Sequence, residues 1–113
     1  MALTFVKLFQ PALLATSAAA IYTVPSAPTT MLLRNGRVRL TNNATTAVAA
    51  TLYAVPAAGA ASNTNTFFPY RSIAPQDYID VDVPQMAAGD AIHGLASAAT
   101  SIAISAMDGV LQS

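Results

Sequence analysis

The chain has 113 residues, enough for one domain that buries a core of its own. Only 9% of the residues are charged, and five Lys and Arg are balanced by five Asp, which removes the general electrostatic attraction to nucleic acid or to an anionic membrane. The absence of cysteine excludes a disulfide framework and a thiolate metal site. Scarce charge beside 54% hydrophobic residues also favours a protein that associates over a free monomer.

An extended arm is predicted for residues 1–18, ahead of the first clear strand. Gln10 and Pro11 interrupt its apolar residues, so no stretch approaches the roughly 18 residues of a membrane-spanning helix. A cleaved signal peptide is one alternative, and a helix over residues 11–20 is another, although no cap or apolar stripe defines it. Apolar side chains exposed on an arm mark a docking segment. We therefore expect four of them to contact a neighbouring subunit or an underlying shell: Leu3, Phe5, Leu8 and Phe9.

The strongest turn signal in the chain is Asn35-Gly36. It precedes a run in which Val38 and Leu40 alternate with arginines, the period of two that is typical of a half-buried strand. Asn-Gly favours a hairpin or a sharp bend, because a type I′ turn needs positive φ at both positions. One long strand with a bulge at Gly36 is the alternative.

Residues 19–113 are predicted to form a single all-β domain that closes its own core. Seven or eight short alternating runs follow one another at regular spacing, separated by turns rich in Pro, Gly and Asn, and the last run is expected to end at Asp108-Gly109. This pattern predicts an antiparallel β-sandwich or a jelly-roll-like barrel. The alternation predicts six core positions: Val38, Leu40, Leu52, Val81, Ile102 and Ile104.

No set of residues in the sequence indicates a catalytic or metal centre. His93 is the only histidine, so a histidine metal site or a catalytic triad would lack partners. Asp80 and Asp82 share one strand face, but a Ca²⁺ or Mg²⁺ site needs about six or more oxygens. Pairing with Arg37 and Arg39 is the simpler expectation. The sequence therefore predicts no catalytic residue, no metal ligand and no cofactor, and a salt-bridge face formed by these four residues.

Six segments in a fixed order carry a resemblance to a known family. They are IYTVP from Ile21, LLRNGRVRLTN from Leu32, TLYAVPAAG from Thr51, IAPQDYIDVDVP from Ile73, MAAGD from Met86 and ISAMDGVL from Ile104. In order and spacing, the chain from Ile21 onward resembles a family of small structural proteins of bacteriophage virions. The resemblance implies a non-enzymatic protein of a tailed phage, with a capsid decoration or minor capsid role favoured over a tail component.

Three functional hypotheses follow. The leading one is a virion structural protein that forms a homo-oligomer on the capsid surface, for which three-fold symmetry is our choice. Its expected partners are itself and the major capsid protein or other virion proteins, without nucleic acid or membrane. The second is a tail- or fibre-associated module that binds a receptor or carbohydrate, with Phe67, Phe68 and Tyr70 as a stacking platform. The third, a small hydrolase, lacks a nucleophile, base and orienting group that belong together.

Overall fold

The computed structural model of the chain describes residues 3–5, 7–26 and 31–112, without the side chains of residues 4 and 5. Within these ranges the chain forms nine strands and no helix, and so no helix long and apolar enough to cross a membrane. The strands are β1 (Leu3–Phe5), β2 (Ala12–Leu13), β3 (Ala19–Thr23), β4 (Leu32–Asn42), β5 (Val48–Val55), β6 (Thr66–Ile73), β7 (Tyr78–Val83), β8 (Ala91–Ala96) and β9 (Ile102–Gln112).

The strands form two antiparallel sheets. In sheet A, β1 and β2 lie one after the other along one edge of β9, and β4 and β7 follow on its other side. Sheet B has the order β3, β8, β5, β6. If β1 and β2 are taken as one interrupted strand, the first strand pairs with the eighth, the second with the seventh, the third with the sixth and the fourth with the fifth. This nesting is the jelly roll, and the predicted fold class is confirmed.

The core lies between the two sheets and is built by strand alternation. The six positions predicted from the sequence are between 0% and 8% exposed. They come from β4, β5, β7 and β9, so both sheets contribute to one apolar layer. Among the described buried residues of this layer, Phe68 is the only aromatic one, and the others are aliphatic side chains and Met86.

The N-terminal segment is part of this sandwich. Leu8 is 7% exposed and Leu14 is 1% exposed, and both belong to the core. A Cβ at Gly109 would stand 2.8 Å from Leu8, so the missing side chain of this glycine makes the space that Leu8 fills. Two residues of the predicted arm 1–18 thus pack in the same core as the predicted domain 19–113. The backbone pairing agrees with this, because β1 and β2 occupy the outer edge of β9.

Asn35-Gly36 forms a bulge, and the predicted hairpin is wrong. The pairing of β4 with β9 moves from Arg34 opposite Val110 to Arg37 opposite Asp108, so residues 35 and 36 together face one residue of β9. Asn35 has a φ of 54°, which Asn adopts more readily than most residues, and this local αL conformation kinks the strand without reversing it. Both halves of β4 thus stay on β9, which itself continues past the predicted end at Asp108-Gly109 to residue 112.

Asn42, at the end of β4, connects three segments. Its side chain is fully buried, and its Oδ1 accepts a hydrogen bond from the Ala44 amide at 2.9 Å. Its Nδ2 donates to the carbonyl oxygens of Thr46 and Ile73, both at 3.0 Å, and to that of Ala74 at 3.3 Å. One amide thus fixes the turn after β4 and the connection between β6 and β7.

Truncation of Ile104 should test the core. We expect Ile104→Ala to lower the free energy of unfolding by about 2–5 kcal/mol, because the side chain is fully buried and its removal leaves a cavity between the sheets. Urea denaturation measures the change. Met107→Ala on the same strand is the matched control, since this side chain is 44% exposed and should change stability by no more than about 0.5 kcal/mol. Equal costs for the two variants would contradict the proposed core.

Substitution of Asn42 should lower the stability of the fold, and for Asn42→Asp the loss should depend on pH. Asn42→Ala should cost about 1–3 kcal/mol, because buried carbonyl oxygens lose their donor. Asn42→Asp would place a carboxylate against these carbonyls, which raises its pKa in the folded state. Its stability relative to the unsubstituted chain should therefore be highest near about pH 4 and fall as the pH rises towards 7. Thermal unfolding between these pH values measures the stability of the variant, and Asn43→Asp at an exposed position is the control. Parallel pH profiles for the two variants would contradict the role of the Asn42 hydrogen bonds.

Candidate functional site

A ribbon of paired charges crosses the outer face of sheet A. The register of β4 with β7 places Arg37 opposite Asp82 and Arg39 opposite Asp80. Arg37 Nε lies 3.1 Å from Asp82 Oδ1. Arg39 binds Asp80 with two nitrogens, Nε to Oδ1 at 2.8 Å and Nη2 to Oδ2 at 3.2 Å. The structure thus brings together the four residues that the sequence suggested for a salt-bridge face.

Arg39 is the better-held member of this ribbon. Its guanidinium also lies over the ring of Tyr78, 4.1 Å from the centroid. The hydrogen bond from Arg39, reinforced by the positive charges of Arg39 and Arg37, lowers the pKa of Asp80 below its ordinary value of 3.8, although partial desolvation opposes the shift. The same hydrogen bond raises the pKa of Arg39. The pair is a fixed polar feature of the surface.

A polar groove of about 610 Å³ adjoins the ribbon where β4 bulges. Its lining includes Arg34, Arg37, Asp82 and Asp108, so positive and negative side chains are equal in number. The Arg34 guanidinium also donates to Gln112 Oε1 at 2.9 Å. No group of three metal-ligating side chains occurs among the described residues. The groove is therefore suited to polar contact with another surface, and it presents no acid, base or nucleophile constellation.

The apolar residues predicted for partner contact have separate positions. Leu8 is buried against Gly109, and Phe9 packs on the core with its ring centroid 6.2 Å from that of Tyr22. Leu3 is 53% exposed, and the side chain of Phe5 lies outside the described residues. The inner residues of the segment thus serve their own core, while Leu3 remains on the surface.

The predicted aromatic platform on β6 is not formed. Phe68 is 6% exposed and belongs to the core, and Phe67 is half-buried against it. Tyr70 is 68% exposed on the opposite side of the strand. Its neighbours across the outer face of sheet B are Thr51 and Tyr53 of β5. Sequence reasoning missed these two residues, although their alternation with the buried Ala50 and Leu52 was the available signal. His93 is half-buried on β8, opposite Tyr53.

The fold and its surfaces define a jelly-roll β-sandwich whose described residues hold no metal-binding cluster. A solved structure with a similar fold is that of Bacillus endospore appendages, described as disulfide-linked pili. The two chains are 14% identical, the match covers 96% of this chain and 85% of that one, and the TM-score is 0.52. At this identity the likeness shows the fold alone.

A second match is a chain of infectious bursal disease virus, Gx strain. It is 12% identical with a TM-score of 0.43, and the match covers 97% of this chain and 32% of that one, so this chain spans about a third of its length. No protein-family model and no curated protein matches the sequence.

The Arg39–Asp80 pair should contribute to the acid sensitivity of the fold. Because the folded pKa of Asp80 lies below its ordinary value of 3.8, the contribution is present above that value and is lost as the pH falls through the folded pKa. The melting temperature of Asp80→Asn should therefore fall less than that of the unsubstituted chain when the pH is lowered from about 7 to about 2. Asp82→Asn is the control, since this side chain is 81% exposed and makes one contact. Identical profiles for Asp80→Asn and the unsubstituted chain would contradict the role.

Proposed function

We propose that the chain is a structural protein of a tailed-bacteriophage virion, a capsid decoration or minor capsid protein that packs on the particle surface as a homo-oligomer. Three observations support the proposal. The sequence segments from Ile21 onward resemble those of small phage virion proteins. The jelly roll is a recurrent architecture of capsid proteins. A protein of similar fold occurs in an assembled appendage.

The way in which the first strand is held carries the homo-oligomer proposal. Two short strands bind the edge of β9, Leu3 to Phe5 against residues 110–112 and Ala12 to Leu13 against residues 103–104. Residues 7–11 between them lie outside the backbone ladder, and Leu8 anchors this stretch to the core. The same segment of a second subunit would make the same contacts, so an exchange costs no interaction and connects two subunits.

The connection after this segment is suited to such an exchange. Leu14 is the last buried residue before the exposed stretch 15–18, and its amide donates to the Ile102 carbonyl at 2.9 Å. Residues 15–18 are small and exposed, and a bend lies at Thr16-Ser17. A change of backbone direction here would carry residues 3–14 to a neighbour without disturbing β3. The chain has no cysteine, so its subunits would be joined by strand pairing and packing, unlike the disulfide-linked pili.

The exposed part of the same segment is the proposed contact with the major capsid protein or another virion protein. Leu3 is 53% exposed and Leu13 is 52% exposed, and each would lose its contact with water against an apolar partner. Three-fold symmetry remains our choice for the oligomer, because capsid lattices offer three-fold sites to a surface protein.

A disulfide placed across β2 and β9 would distinguish exchange from pairing within one chain. Leu13 and Ala103 are opposite each other in the register, and the absence of native cysteine gives a clean background. We expect the double variant Leu13→Cys with Ala103→Cys to yield covalent oligomers on a non-reducing gel. Thr41→Cys with Tyr78→Cys, opposite each other on β4 and β7, is the control and should give monomers. Monomers only from the first variant would contradict exchange.

Deletion of residues 1–18 would be less informative, because it also removes Leu8 and Leu14 from the core. The place on the particle needs a separate measurement. Mass spectrometry of purified virions should find the protein in numbers that match the shell. A few copies per particle would favour the tail- or fibre-associated receptor-binding module, the alternative that the exposed Tyr70 keeps open. Absence from the particle would contradict both.

A further inference from the structure

We propose that a groove on the outer face of sheet B binds a neutral polyhydroxylated ligand, namely the pyranose ring of a carbohydrate. The groove has a volume of about 440 Å³, within the range of small-molecule sites. It lies on the opposite side of the sandwich from the Arg39–Asp80 ribbon, between β5, β6 and Leu95 of β8. The proposal concerns binding by the isolated protein and does not depend on the place of the chain in a virion.

A bulge in β6 creates the groove. The pairing of β5 with β6 moves from Ala50 opposite Arg71 to Leu52 opposite Phe68, so Pro69 and Tyr70 together face Thr51. Bulges re-aim side chains and occur beside binding sites. Here the bulge leaves the ring of Tyr70 68% exposed beside Thr51 instead of packed into the core.

An unpaired hydroxyl lies at the floor of the groove. Thr51 is 6% exposed, between Ala50 and Leu52 of the core. Its side chain makes no hydrogen bond with any residue in the described part of the chain. Within that part, no side-chain nitrogen or oxygen is both unpaired and sealed from solvent, so the Thr51 hydroxyl keeps contact with solvent, and Thr51 is one of the residues that line the groove. A ligand hydroxyl would give it the partner that the protein does not.

The remaining lining selects the class of ligand. Tyr53 and Tyr70 supply two aromatic rings, Pro69 and Leu95 supply apolar surface, and Asn63 offers an amide at the rim. No Lys, Arg, His, Asp or Glu is among the described residues that line the groove, and His93 neighbours it only through Tyr53. A phosphate or carboxylate would therefore find no Lys or Arg there, and an ammonium group no anion. A purely apolar ligand would leave the Thr51 hydroxyl without a partner, at a cost in affinity.

A pyranose ring meets these conditions together. Its C–H face can lie on a tyrosine ring, whose face carries partial negative charge. Its hydroxyl groups donate and accept, as Thr51 and the Asn63 amide require. The number of free polar groups is small, which agrees with orientation of a single sugar residue at the end or side of a glycan chain.

Titration of the ¹⁵N-labelled protein with glucose, galactose, mannose and N-acetylglucosamine tests the proposal by NMR. We expect saturable shifts of the Thr51, Asn63 and Tyr70 amides with at least one of these sugars. Thr51→Val keeps the shape of the side chain and removes the hydroxyl, and it should weaken binding roughly tenfold. Tyr70→Ala removes the stacking ring and should abolish measurable binding.

Tyr78→Ala is the matched control, because it removes an exposed tyrosine from the outer face of sheet A and should leave sugar binding unchanged. Glucuronate should bind no more tightly than glucose, since no cation lines the groove. The proposal is overturned if none of the four neutral sugars gives saturable shifts in the groove, or if Tyr70→Ala binds like the unsubstituted chain. A change of oligomeric state in folded Tyr70→Ala, without sugar binding by the unsubstituted chain, would assign the groove to a subunit contact instead.

Discussion

The two occupied edges of β9 are the constraint on which the rest of the sandwich depends. This strand runs through the middle of sheet A, with β4 hydrogen-bonded on one side and the N-terminal segment on the other. Without that segment, β9 would present an unpaired backbone edge next to the core, where Leu8 and Leu14 now exclude water. The first strand of the jelly roll is interrupted between β1 and β2, yet sheet A needs it to cover the edge of β9.

Two other outer edges of the sandwich, those of β7 and β6, are protected against pairing by local features. On β7, Asp80 and Asp82 place charge along the strand at the edge of sheet A. On β6, Pro69 lacks an amide donor, and register shifts interrupt the pairing at two points. Strand addition at these edges is thus disfavoured, whereas the edge of β9 accepts a strand by design of the fold. The bulge that protects β6 is also the one that exposes Tyr70, so edge protection and the groove on sheet B have a common origin.

The sequence predicted the fold through strand alternation, because the period of two at Val38, Leu40, Leu52 and Ile104 reports directly which face is buried. It could not distinguish bend from bulge at Asn35-Gly36, since both need positive φ and the choice depends on whether β9 pairs with both halves of the strand. The burial of Leu8 within the predicted arm could not be predicted for a similar reason. Burial of Leu8 is set by the absence of a side chain at Gly109, near the other end of the chain, and no local pattern contains that information.

The surfaces were only partly predictable. Arg37 and Arg39 met Asp82 and Asp80 because one alternating strand opposite another fixes such pairs once the strands are neighbours. The three aromatics of β6 suggested a platform, because Phe68 and Tyr70 would share a face on a regular strand. The bulge at Pro69-Tyr70 breaks this alternation, so Phe68 points inward and Tyr70 outward. In the turn at residues 87–90, the carboxylate of Asp90 accepts the Ala87 amide and also the Ala57 amide from another loop, a contact that sequence spacing alone does not show.

The pairing of Leu3 with Gln112 has a consequence for folding during synthesis. During synthesis β1 leaves the ribosome before the other described strands, and its partner β9 leaves after them. Sheet A cannot close until β9 has emerged, and contacts of such long sequence separation form slowly. In that interval the N-terminal segment of one nascent chain is close to β9 of a neighbouring chain on the same polysome. Under the proposed exchange, the timing of synthesis, and not only the stability of the product, decides how often the segment pairs with β9 of its own chain or with β9 of a neighbouring chain.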